Sequence, residues 1–477
     1  MWWLIIPAVI AIFAAVILIR TAAFKPKTEL KSSGSEVVFD KDAAVEHLAR
    51  MIRVKTVSYN DLSRQDEAEF ERFRKLLREL YPTVFEKCEL EKMGRSAILL
   101  KLKGENEGDP SVFMAHYDVV PPNADAWEHD PFCGEIIDGS LWGRGALDTK
   151  CTLLGVMEAA ETLLKDGFIP KHDIYYAFSG DEETSGYSAE MTVDELKKRG
   201  VHPAFVLDEG GAVVENVFPG VSDRCALIGI AEKGPFNIEM TLNSSGGHAS
   251  TPPARTIVGR LSDAVTAVET HPFKCRITKP VAEMFDTLGR RSTFVYRMIF
   301  ANLWLFNGVL DGICKKSGGE LNAMMRTTCA FTMMQGSDAY NVLPPKAVIG
   351  ANLRIMPGET MDTVTDYLKK TVKNDDISIT RIMGMNPSRC SETDCEQYTQ
   401  LSQAIKDTWT DALVSPYLML ACSDARQYAK ISEYVYRFSA MALSKEERGL
   451  IHGNNERIPI DTIHKIVEFY IRIMKVR

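Results

Sequence analysis

Short apolar runs alternate with helical stretches between residues 97 and 207, and this alternation restricts the possible fold more than any other feature. The predicted elements are, in chain order, a strand at 111–120, a helix at 152–166, a strand at 173–179, a helix at 193–199 and a strand at 204–207. Strands that alternate with helices are typical of βαβ units, which place the strands side by side in one parallel sheet. We therefore predict an α/β fold with a mostly parallel sheet.

A second unit is predicted between residues 234 and 386. Its elements follow the order strand (236–242), helix (256–269), strands (327–334 and 347–355), helix (360–373) and strand (377–382). This β-α-β-β-α-β order is typical of a ferredoxin-like α+β module. An insertion at 271–325 contains an apolar stretch, 294–306, which we expect to form a core or dimer-face helix because it is too short to span a membrane.

The N-terminus carries 18 uncharged and mostly apolar residues, Trp2 to Ile19, followed by Arg20. A helix of that length spans ~27 Å, close to the thickness of a bilayer core. No charged side chain precedes the run, whereas signal peptides usually begin with basic residues, although Thr21-Ala22-Ala23 could serve a signal peptidase. We predict a transmembrane anchor at residues 1–20 and a linker at 21–36.

Charge and cysteine usage narrow the choice of partners and compartment. The net charge is −8 and no basic tract stands out, so we expect no nucleic-acid partner. None of the 10 cysteines forms a C-x-x-C pair, which favours free, buried thiols and a reducing compartment. The basic residues after the apolar run favour a cytosolic globular part, but the sequence leaves both orientations of the anchor open.

Histidine and acidic residues occur where the predicted strands end. His116 and Asp118 close the apolar part of the first strand, 111–115, and their spacing of two places both side chains on one face. A metal-bound imidazole needs an acceptor for its second nitrogen, which a nearby carboxylate supplies. Taken alone, a surface histidine and aspartate would explain this pair equally well.

Further acidic residues and a second histidine stand at similar places. Asp148 lies on a Gly-rich turn before a helix; the third glycine of a dinucleotide-binding motif is missing. Glu182 and Glu183 follow the second strand, and Asp208 follows the third, while His452 precedes the last predicted helix. Adjacent acids repel one another unless a cation compensates them, although an exposed acidic turn is the alternative.

These residues should converge on the carboxyl edge of the sheet, where open α/β folds bind ligands. A mixed set of imidazole and carboxylate ligands suits two divalent ions, with zinc as the first choice. Such ion pairs share a bridging carboxylate, and a glutamate that holds no metal can deprotonate water. The sequence therefore predicts a two-metal hydrolytic site.

Five ordered motifs resemble the zinc aminoacylase/carboxypeptidase family of metallopeptidases, and within it the branch of carboxypeptidase S and N-fatty-acyl-amino-acid synthase/hydrolase. The motifs are Met-Ala-His-Tyr-Asp-Val-Val-Pro, Trp-Gly-Arg-Gly-Ala-Leu-Asp-Thr-Lys, Gly-Asp-Glu-Glu-Thr-Ser-Gly, Leu-Asp-Glu-Gly-Gly and His-Gly-Asn-Asn-Glu. Residues 301–306 and 341–345 resemble the lid of that branch, and the likeness covers nearly all of residues 40–477.

The resemblance implies two zinc ions per subunit, with cobalt or manganese as substitutes. It implies that His116 and Asp208 bind one ion, that Glu183 and His452 bind the other, and that Asp148 bridges them. Glu182 would be the general base and Asp118 the partner of His116.

The resemblance also implies residues that contact the substrate. His248, in Gly-Gly-His-Ala-Ser, is similar to a lid histidine that stabilises the oxyanion and that in dimeric members comes from the partner's lid. Arg354 and Arg426 are similar to residues that hold a substrate carboxylate, a role suited to guanidinium groups. Asn341 resembles a lid residue near the same site. For Arg354, a solvated strand arginine is the alternative.

Together these observations predict a membrane-anchored amide hydrolase that cleaves a peptide or an N-acyl amino acid next to a free carboxylate. The expected catalytic domain comprises 37–233 and 387–477, and 234–386 would form a lid and dimerisation domain, through which a homodimer would assemble. The alternative from another class is a membrane-held binding module that keeps metals only for structure.

Overall fold

The computed structural model describes residues 2–216 and 218–477, so that Met1 and Val217 lie outside the described residues. The helices are α1 Trp2–Ala23, α2 Lys41–Ile52, α3 Glu67–Leu80, α4 Pro82–Lys87, α5 Lys150–Lys165, α6 Ser188–Lys198, α7 Ile257–Thr270, α8 Lys279–Gly289, α9 Phe294–Ala301, α10 Leu303–Ser317, α11 Gly319–Met325, α12 Met361–Val372, α13 Glu396–Thr408, α14 Ala425–Tyr428, α15 Lys445–Arg448 and α16 Ile460–Met474.

The strands belong to two larger and two smaller sheets. They are β1 Glu89–Met93, β2 Ala97–Leu102, β3 Asn106–His116, β4 Glu135–Ile137, β5 Ser140–Trp142, β6 His172–Ser179, β7 Phe205–Val214, β8 Cys225–Glu232, β9 Gly234–Asn243, β10 Gly247–His248, β11 Thr328–Gln335, β12 Val342–Leu343, β13 Lys346–Ile355, β14 Ser378–Gly384, β15 Leu413–Met419, β16 Val435–Leu443 and β17 Arg457–Pro459.

The main sheet has eight strands in the order β1-β2-β6-β3-β7-β16-β8-β15. The four central strands β6, β3, β7 and β16 are parallel, as the alternating pattern predicts. The sheet as a whole is mixed, because β1, β2 and β6 pair antiparallel and β8 pairs antiparallel with β7 and β16. The turn between β1 and β2 is too short for the crossover that a parallel pair requires.

Helices cover the main sheet because their apolar residues recur at helical spacing. In α3, Phe70, Phe73, Leu77 and Leu80 recur every three or four residues and are buried, and the Asp66 side chain caps the helix by accepting a hydrogen bond from the backbone N–H of Ala68. The central helix α5 packs closely on α16, since a Cβ on Gly155 would lie 2.4 Å from Ile466 Cγ2.

The second sheet has four antiparallel strands in the order β11-β13-β9-β14, covered by α7 and α12. Its strands and helices follow one another in the β-α-β-β-α-β order that the sequence predicts for 234–386. Along β9, Phe236, Ile238, Met240 and Leu242 are buried while the residues between them are half-buried, which is the alternation of a sheet with one covered face.

The inserted helices α8 to α11 pack on the main sheet, whereas the sequence predicts that they belong to the second unit. Met284, Leu288 and Met324 belong to the core of the eight-stranded sheet and not to the core of the four-stranded one. The first of these helices, α8, contacts the edge strand β15. The insertion therefore covers an edge of the main sheet, although its chain neighbours belong to the second sheet.

Helix α1 lies against the insertion at its C-terminal half. Arg20 donates to the carbonyl oxygen of Ala301 at 3.2 Å, and Asn302 donates to the hydroxyl of Thr21 at 3.3 Å. The segment Ile5–Ala23 is long and apolar enough to cross a membrane, and almost all of it is exposed. The helix extends to Ala23, so that part of the predicted linker 21–36 is helical.

Candidate active site

Three parallel strands bring functional side chains to one edge of the main sheet. The last residue of β3, His116, stands beside Ser179, the last residue of β6. A short 3-10 turn after β6 carries Glu182 and Glu183, and β7 carries Asp208 and Glu209. Because the carboxyl ends of parallel strands meet at one edge, residues that are distant in sequence come together there.

His116 is buried and its two ring nitrogens have different partners. Nδ1 lies 2.9 Å from the carbonyl oxygen of Asp118, while Nε2 lies 3.1 Å from Asp148 Oδ1 and 3.4 Å from Glu209 Oε1. Burial alone would lower the pKa of His116, but the charge of Glu209 and hydrogen bonds with Asp118 and Asp148 raise it well above the usual value. The contact at Nδ1 orients the ring so that Nε2 faces the carboxylates.

Asp148 lies between the two histidines. Its Oδ1 is 3.1 Å from His116 Nε2 and its Oδ2 is 2.9 Å from His452 Nε2. Burial opposes ionisation of Asp148, but hydrogen bonds from both histidines lower its pKa. The His452 side chain also reaches Glu183 at 3.1 Å, and hydrogen bonds to Asp148 and Glu183 raise the pKa of His452 to about 10. Each oxygen of Asp148 thus contacts one of the two histidines.

Asp118 is fully buried and holds the turn that carries the two glutamates. Its Oδ1 accepts the backbone N–H of Glu182 and its Oδ2 accepts the backbone N–H of Glu183, both at 3.1 Å. The carboxylate is 3.4 Å from His116 Nδ1, farther than the carbonyl of the same residue. Asp118 therefore orients the glutamate turn as well as the histidine.

Glu182 is half-buried and faces other acids. Burial raises its pKa well above the usual value; His116 opposes this shift, and the charges of Asp424, Glu209 and Glu183 add to it. One oxygen of Glu182 groups with His116 and Glu209, with all ligand atoms within 4.8 Å of one another. A carboxylate in such a position can accept and release a proton.

Glu209 is the site residue that the sequence-based prediction missed. Its carboxylate faces His116, whereas the carboxylate of the predicted ligand Asp208 accepts the backbone N–H of Ala425 at 2.8 Å. Consecutive residues of a strand point to opposite faces, so that only one of the two can face His116. Both acids lie within β7, which continues to Val214 and does not end at 207 as the sequence predicts, and no sequence signal distinguishes them.

A buried ion pair that the sequence analysis also missed joins the loops of Asp148 and His452. Glu456 Oε1 accepts the backbone N–H of Gly145, Leu147 and Asp148 at 2.7–3.3 Å, and its Oε2 is 2.5 Å from Arg144 Nη1. Arg144 Nη2 donates to the carbonyl oxygen of Gly453 at 2.8 Å. Arg144 lies in the motif that contains Asp148, and Glu456 lies in the motif that contains His452. Membership of these motifs was therefore the sequence signal that could have identified both residues.

The two arginines predicted to bind the substrate contact neighbouring residues, Cys422 and Ser423. Arg426 Nη1 donates to the carbonyl oxygen of Ser423 at 2.9 Å, and Arg354 Nη1 lies 3.1 Å from Cys422 Sγ. The Nε atom of Arg426 is buried without a protein acceptor among the described residues. Burial alone would lower the pKa of Arg426. The negative charges of Asp424, Glu232 and Glu182, in decreasing order of effect, raise it above the usual value.

His248 and Asn341 lie close together at a small two-stranded sheet, formed by segments that follow β9 and β11 in the chain. The short strands β10 and β12 pair there, and Asn341 accepts the backbone N–H of Ala249 at 3.0 Å. His248 is exposed and its Nδ1 contacts the Ser250 hydroxyl at 2.7 Å. Within the described part of the chain, neither residue contacts the groups around His116.

The donor set fits divalent metal ions. We call His116, Asp148, Glu182, Glu183, Glu209 and His452 the acidic–histidine cluster. Two overlapping groups of three within it bring their ligand atoms within 4.8 Å of one another. Among residues 2–216 and 218–477, no lysine or arginine forms an ion pair with its four acids, and burial raises the pKa of Glu209 to about 8. Cations would relieve this crowding of carboxylates.

Comparisons with known proteins identify relatives of this chain. A model of peptidase family M20/M25/M40 matches residues 112–476. The chain is 34% identical to the N-fatty-acyl-amino acid synthase/hydrolase of Xenopus tropicalis over 98% of this chain and 93% of that protein. It is 31% identical to the probable carboxypeptidase S-like 2 of Dictyostelium discoideum over 96% and 90%. An M20 family metallo-carboxypeptidase from Sulfolobus solfataricus has a similar fold, with a TM-score of 0.67, 17% identity and coverage of 91% and 98%.

Proposed function

Since the chain belongs to peptidase family M20/M25/M40 and is a metal-dependent hydrolase, we propose that it binds two zinc ions and cleaves an amide bond next to a free carboxylate. The observation that carries this proposal is the position of Asp148, whose two oxygens lie 3.1 and 2.9 Å from the two histidines. A carboxylate that reaches one imidazole with each of its oxygens is suited to bridge a pair of ions.

The ligand assignment follows the contacts in the acidic–histidine cluster. His116 and Glu209 would hold one ion, Glu183 and His452 the other, and Asp148 both. This assignment differs from the sequence-based one in placing Glu209 where Asp208 was expected. When bound, two divalent ions polarise a carbonyl group and lower the pKa of water. Cobalt or manganese are expected substitutes for zinc.

The protein's own residues then move the proton and hold the substrate. Glu182 accepts a proton from the attacking water at its carboxylate and transfers it to the leaving nitrogen. Asp118 keeps Glu182 in place through the backbone hydrogen bond at 3.1 Å. The proposed role of His248 is to donate a hydrogen bond to the oxyanion once the second domain closes over the site.

The substrate's carboxylate is assigned to the arginines and Asn341. Arg426 supports this because its Nε is buried without a protein acceptor and a carboxylate would satisfy it. Two substrate classes carry a carboxylate beside the scissile amide: an N-acyl amino acid and the C-terminal residue of a peptide. The Xenopus relative's name mentions the first class and the Dictyostelium relative's name the second.

Helix α1 is proposed to anchor the enzyme in a membrane. The four-stranded sheet with α7 and α12 is proposed to form the lid and dimer contact, without the inserted helices that pack on the main sheet. The exposed apolar segment Ile5–Ala23 supports the anchor, and the alternative is a signal sequence, which contains a similar apolar segment. Carbonate extraction of cell membranes, followed by mass determination of the N-terminus, separates the two: a soluble chain that lacks α1 would contradict the anchor.

The substitution Glu182→Gln tests the proposed function. We expect the variant to keep about two zinc ions per chain and to lose at least about a thousandfold in kcat, because the amide cannot accept the proton. Metal analysis and hydrolysis of N-acyl amino acids and dipeptides measure both quantities. Substantial turnover by the zinc-loaded variant would exclude the role of Glu182, and an inert, zinc-loaded wild type would favour the metal-stabilised binding module.

A further inference from the structure

The inserted helices α9 and α10 expose apolar side chains beside α1. No charged residue occurs between positions 298 and 310 of the chain. Exposed apolar side chains that accumulate in this way mark a contact site on a protein surface. We call the side chains of these two helices that are more than half exposed the apolar face of the insertion; they are Phe294, Val295, Trp304, Val309 and Ile313.

Helix α10 is apolar on its outer side as well as on its inner side. Leu310 and Cys314 are buried in the core of the main sheet, whereas Val309 and Ile313 point away from it. A helix on the surface of a soluble protein usually carries charged or polar residues on the side away from the core. The outer side of α10 therefore suits a second apolar neighbour better than it suits water.

Contacts with α1 determine the level of this face along the anchor helix. Arg20 donates to the carbonyl oxygen of Ala301, and the ring of Trp304 packs edge-on against Phe13 with the ring centroids 5.6 Å apart. By the helical rise, Phe13 stands about 10 Å further into α1 than Arg20 does. Phe13 thus lies near the middle of the apolar segment Ile5–Ala23. The beginning of α10 therefore lies level with the middle of that segment.

We propose that the apolar face of the insertion enters the phospholipid bilayer that holds α1. This proposal rests on the proposed anchor: if α1 crosses a bilayer, Trp304 lies level with the hydrocarbon layer, since it packs on Phe13. Helices α9 and α10 are too short to span the bilayer, so they enter one leaflet in the manner of interfacial amphipathic helices. Lys315 and Lys316, in the last turn of α10, suit the level of the phosphate groups.

A second copy of the chain is the rival occupant of this face, because the sequence predicts a core or dimer-face helix at 294–306. The contact with α1 favours lipid, since lipid surrounds a membrane-spanning α1 at the same level. The catalytic part would then contact the membrane through two elements, α1 and the insertion, and its orientation at the surface would be restricted.

Photocrosslinking of the full chain in phosphatidylcholine nanodiscs tests this contact. The crosslinking residue p-benzoyl-phenylalanine is placed, one position at a time, at Val309, at Ile12 of α1 and at the control position Ile169. Ile169 is 63% exposed and precedes β6, which lies five strand positions from β15 in the main sheet, roughly 24 Å away. Mass spectrometry after irradiation should show at least about tenfold more lipid adduct at Val309 than at Ile169. Trp304 provides a second position if the Val309 variant fails to fold.

The position on α1 separates this proposal from the proposed anchor. Lipid adducts at Ile12 but not at Val309, or equal adducts at Val309 and Ile169, would overturn the contact of the insertion and leave the anchor intact. Adducts between two protein chains at Val309 would overturn it in favour of a dimer face. No lipid adduct at either Ile12 or Val309 would contradict the anchor as well. Lipid adducts at both positions, without hydrolysis of N-acyl amino acids or dipeptides by the same zinc-loaded protein, would support the contact and contradict the hydrolase.

Discussion

At the scale of single residues, the candidate centre depends on which side chain of an acidic pair faces the sheet edge. Glu209 contacts His116, and Asp208 accepts a backbone hydrogen bond from Ala425. The Asp208 side chain thus stabilises the segment that precedes Arg426, while the Glu209 carboxylate faces the acidic–histidine cluster. Adjacent residues of a motif therefore have different tasks.

We predict that Glu209→Gln lowers bound zinc from about two ions to about one per chain, because a neutral amide is a poor zinc ligand. Asp208→Asn is the matched control and should keep about two, since its carbonyl oxygen can still accept the N–H of Ala425. Elemental analysis after dialysis measures the zinc content. Loss of zinc in Asp208→Asn alone would restore Asp208 as the ligand.

A second residue-scale prediction concerns Glu456, which is buried against Arg144. The change Glu456→Gln leaves a buried guanidinium without its counter-charge, and we expect a loss of about 3 kcal/mol in the free energy of unfolding. Zinc affinity should also fall by about tenfold or more, because the loops of Asp148 and His452 lose their link. Thermal unfolding and zinc titration measure these effects. The exposed Glu446→Gln should change neither, and an unchanged Glu456→Gln protein would contradict the linking role.

At the scale of elements, the order of strands and helices followed from the sequence, but their packing partners did not. The order β9-α7-β11-β13-α12-β14 matches the predicted one, since each element has its own apolar period. The inserted helices α8 to α11 have amphipathic patterns too, but a pattern shows only that one face is buried. Which sheet covers that face depends on the rest of the chain.

The joint between the two sheets contains a buried lysine. Lys233 lies between β8 and β9, and its ammonium donates to the carbonyl oxygens of Ala323 at 2.9 Å and Arg326 at 2.8 Å. It therefore ties the end of the insertion to the joint. Burial, with a smaller effect of Arg354, lowers the pKa of Lys233 from 10.5 to about 7.

We predict that Lys233→Met lowers the free energy of unfolding by about 1–3 kcal/mol, because two buried carbonyl groups lose their donor. Between pH 7 and 10.5 the unfolded chain binds more protons at this residue than the folded chain. The stability of the wild type relative to Lys233→Met should therefore increase as the pH rises through that window. Chemical denaturation at room temperature and at about pH 6.5, 8 and 9.5 measures this difference in the free energy of unfolding. A difference that decreases as the pH rises would contradict the lowered pKa of Lys233.

At the scale of the whole molecule, the proposed lid residue His248 is separate from the cluster that it should serve. It is exposed and, in the described part of the chain, contacts its own loop and not the acidic–histidine cluster. Domain closure or a second subunit would bring such a histidine to the site. The prediction that this histidine comes from the partner's lid corresponds to the second subunit.

Mixing two inactive variants tests this arrangement. His248→Ala and Glu182→Gln should each be nearly inactive as homodimers, but mixed dimers would contain one site with both residues intact. Equal mixtures should recover about a quarter of wild-type activity if the subunits exchange and the histidine acts across the interface. Activity that stays at the sum of the separate variants, despite exchange shown by native mass spectrometry, would place His248 in its own subunit's site.

The sequence by itself determined the types of residue at the site and their place at the strand ends, because apolar period and strand termination are local properties. His116 and Glu183 could be named on that basis, Asp148 and His452 from the motifs that contain them, and the structure brings the four side chains together. The parallel centre of the sheet was predictable for the same reason.

Only the tertiary structure decided the rest, because it depends on contacts between residues that are far apart in the chain. The contact of Ala425 with Asp208 leaves Glu209 to face His116, and Glu456 meets the Asp148 loop across more than 300 residues. A cavity lined by Gly210 on β7 and by Met284 and Met324 of the inserted helices likewise exists only where distant segments pack together. The apolar period of a single element cannot predict these contacts, since each contact depends on how the buried faces of separate elements pack together.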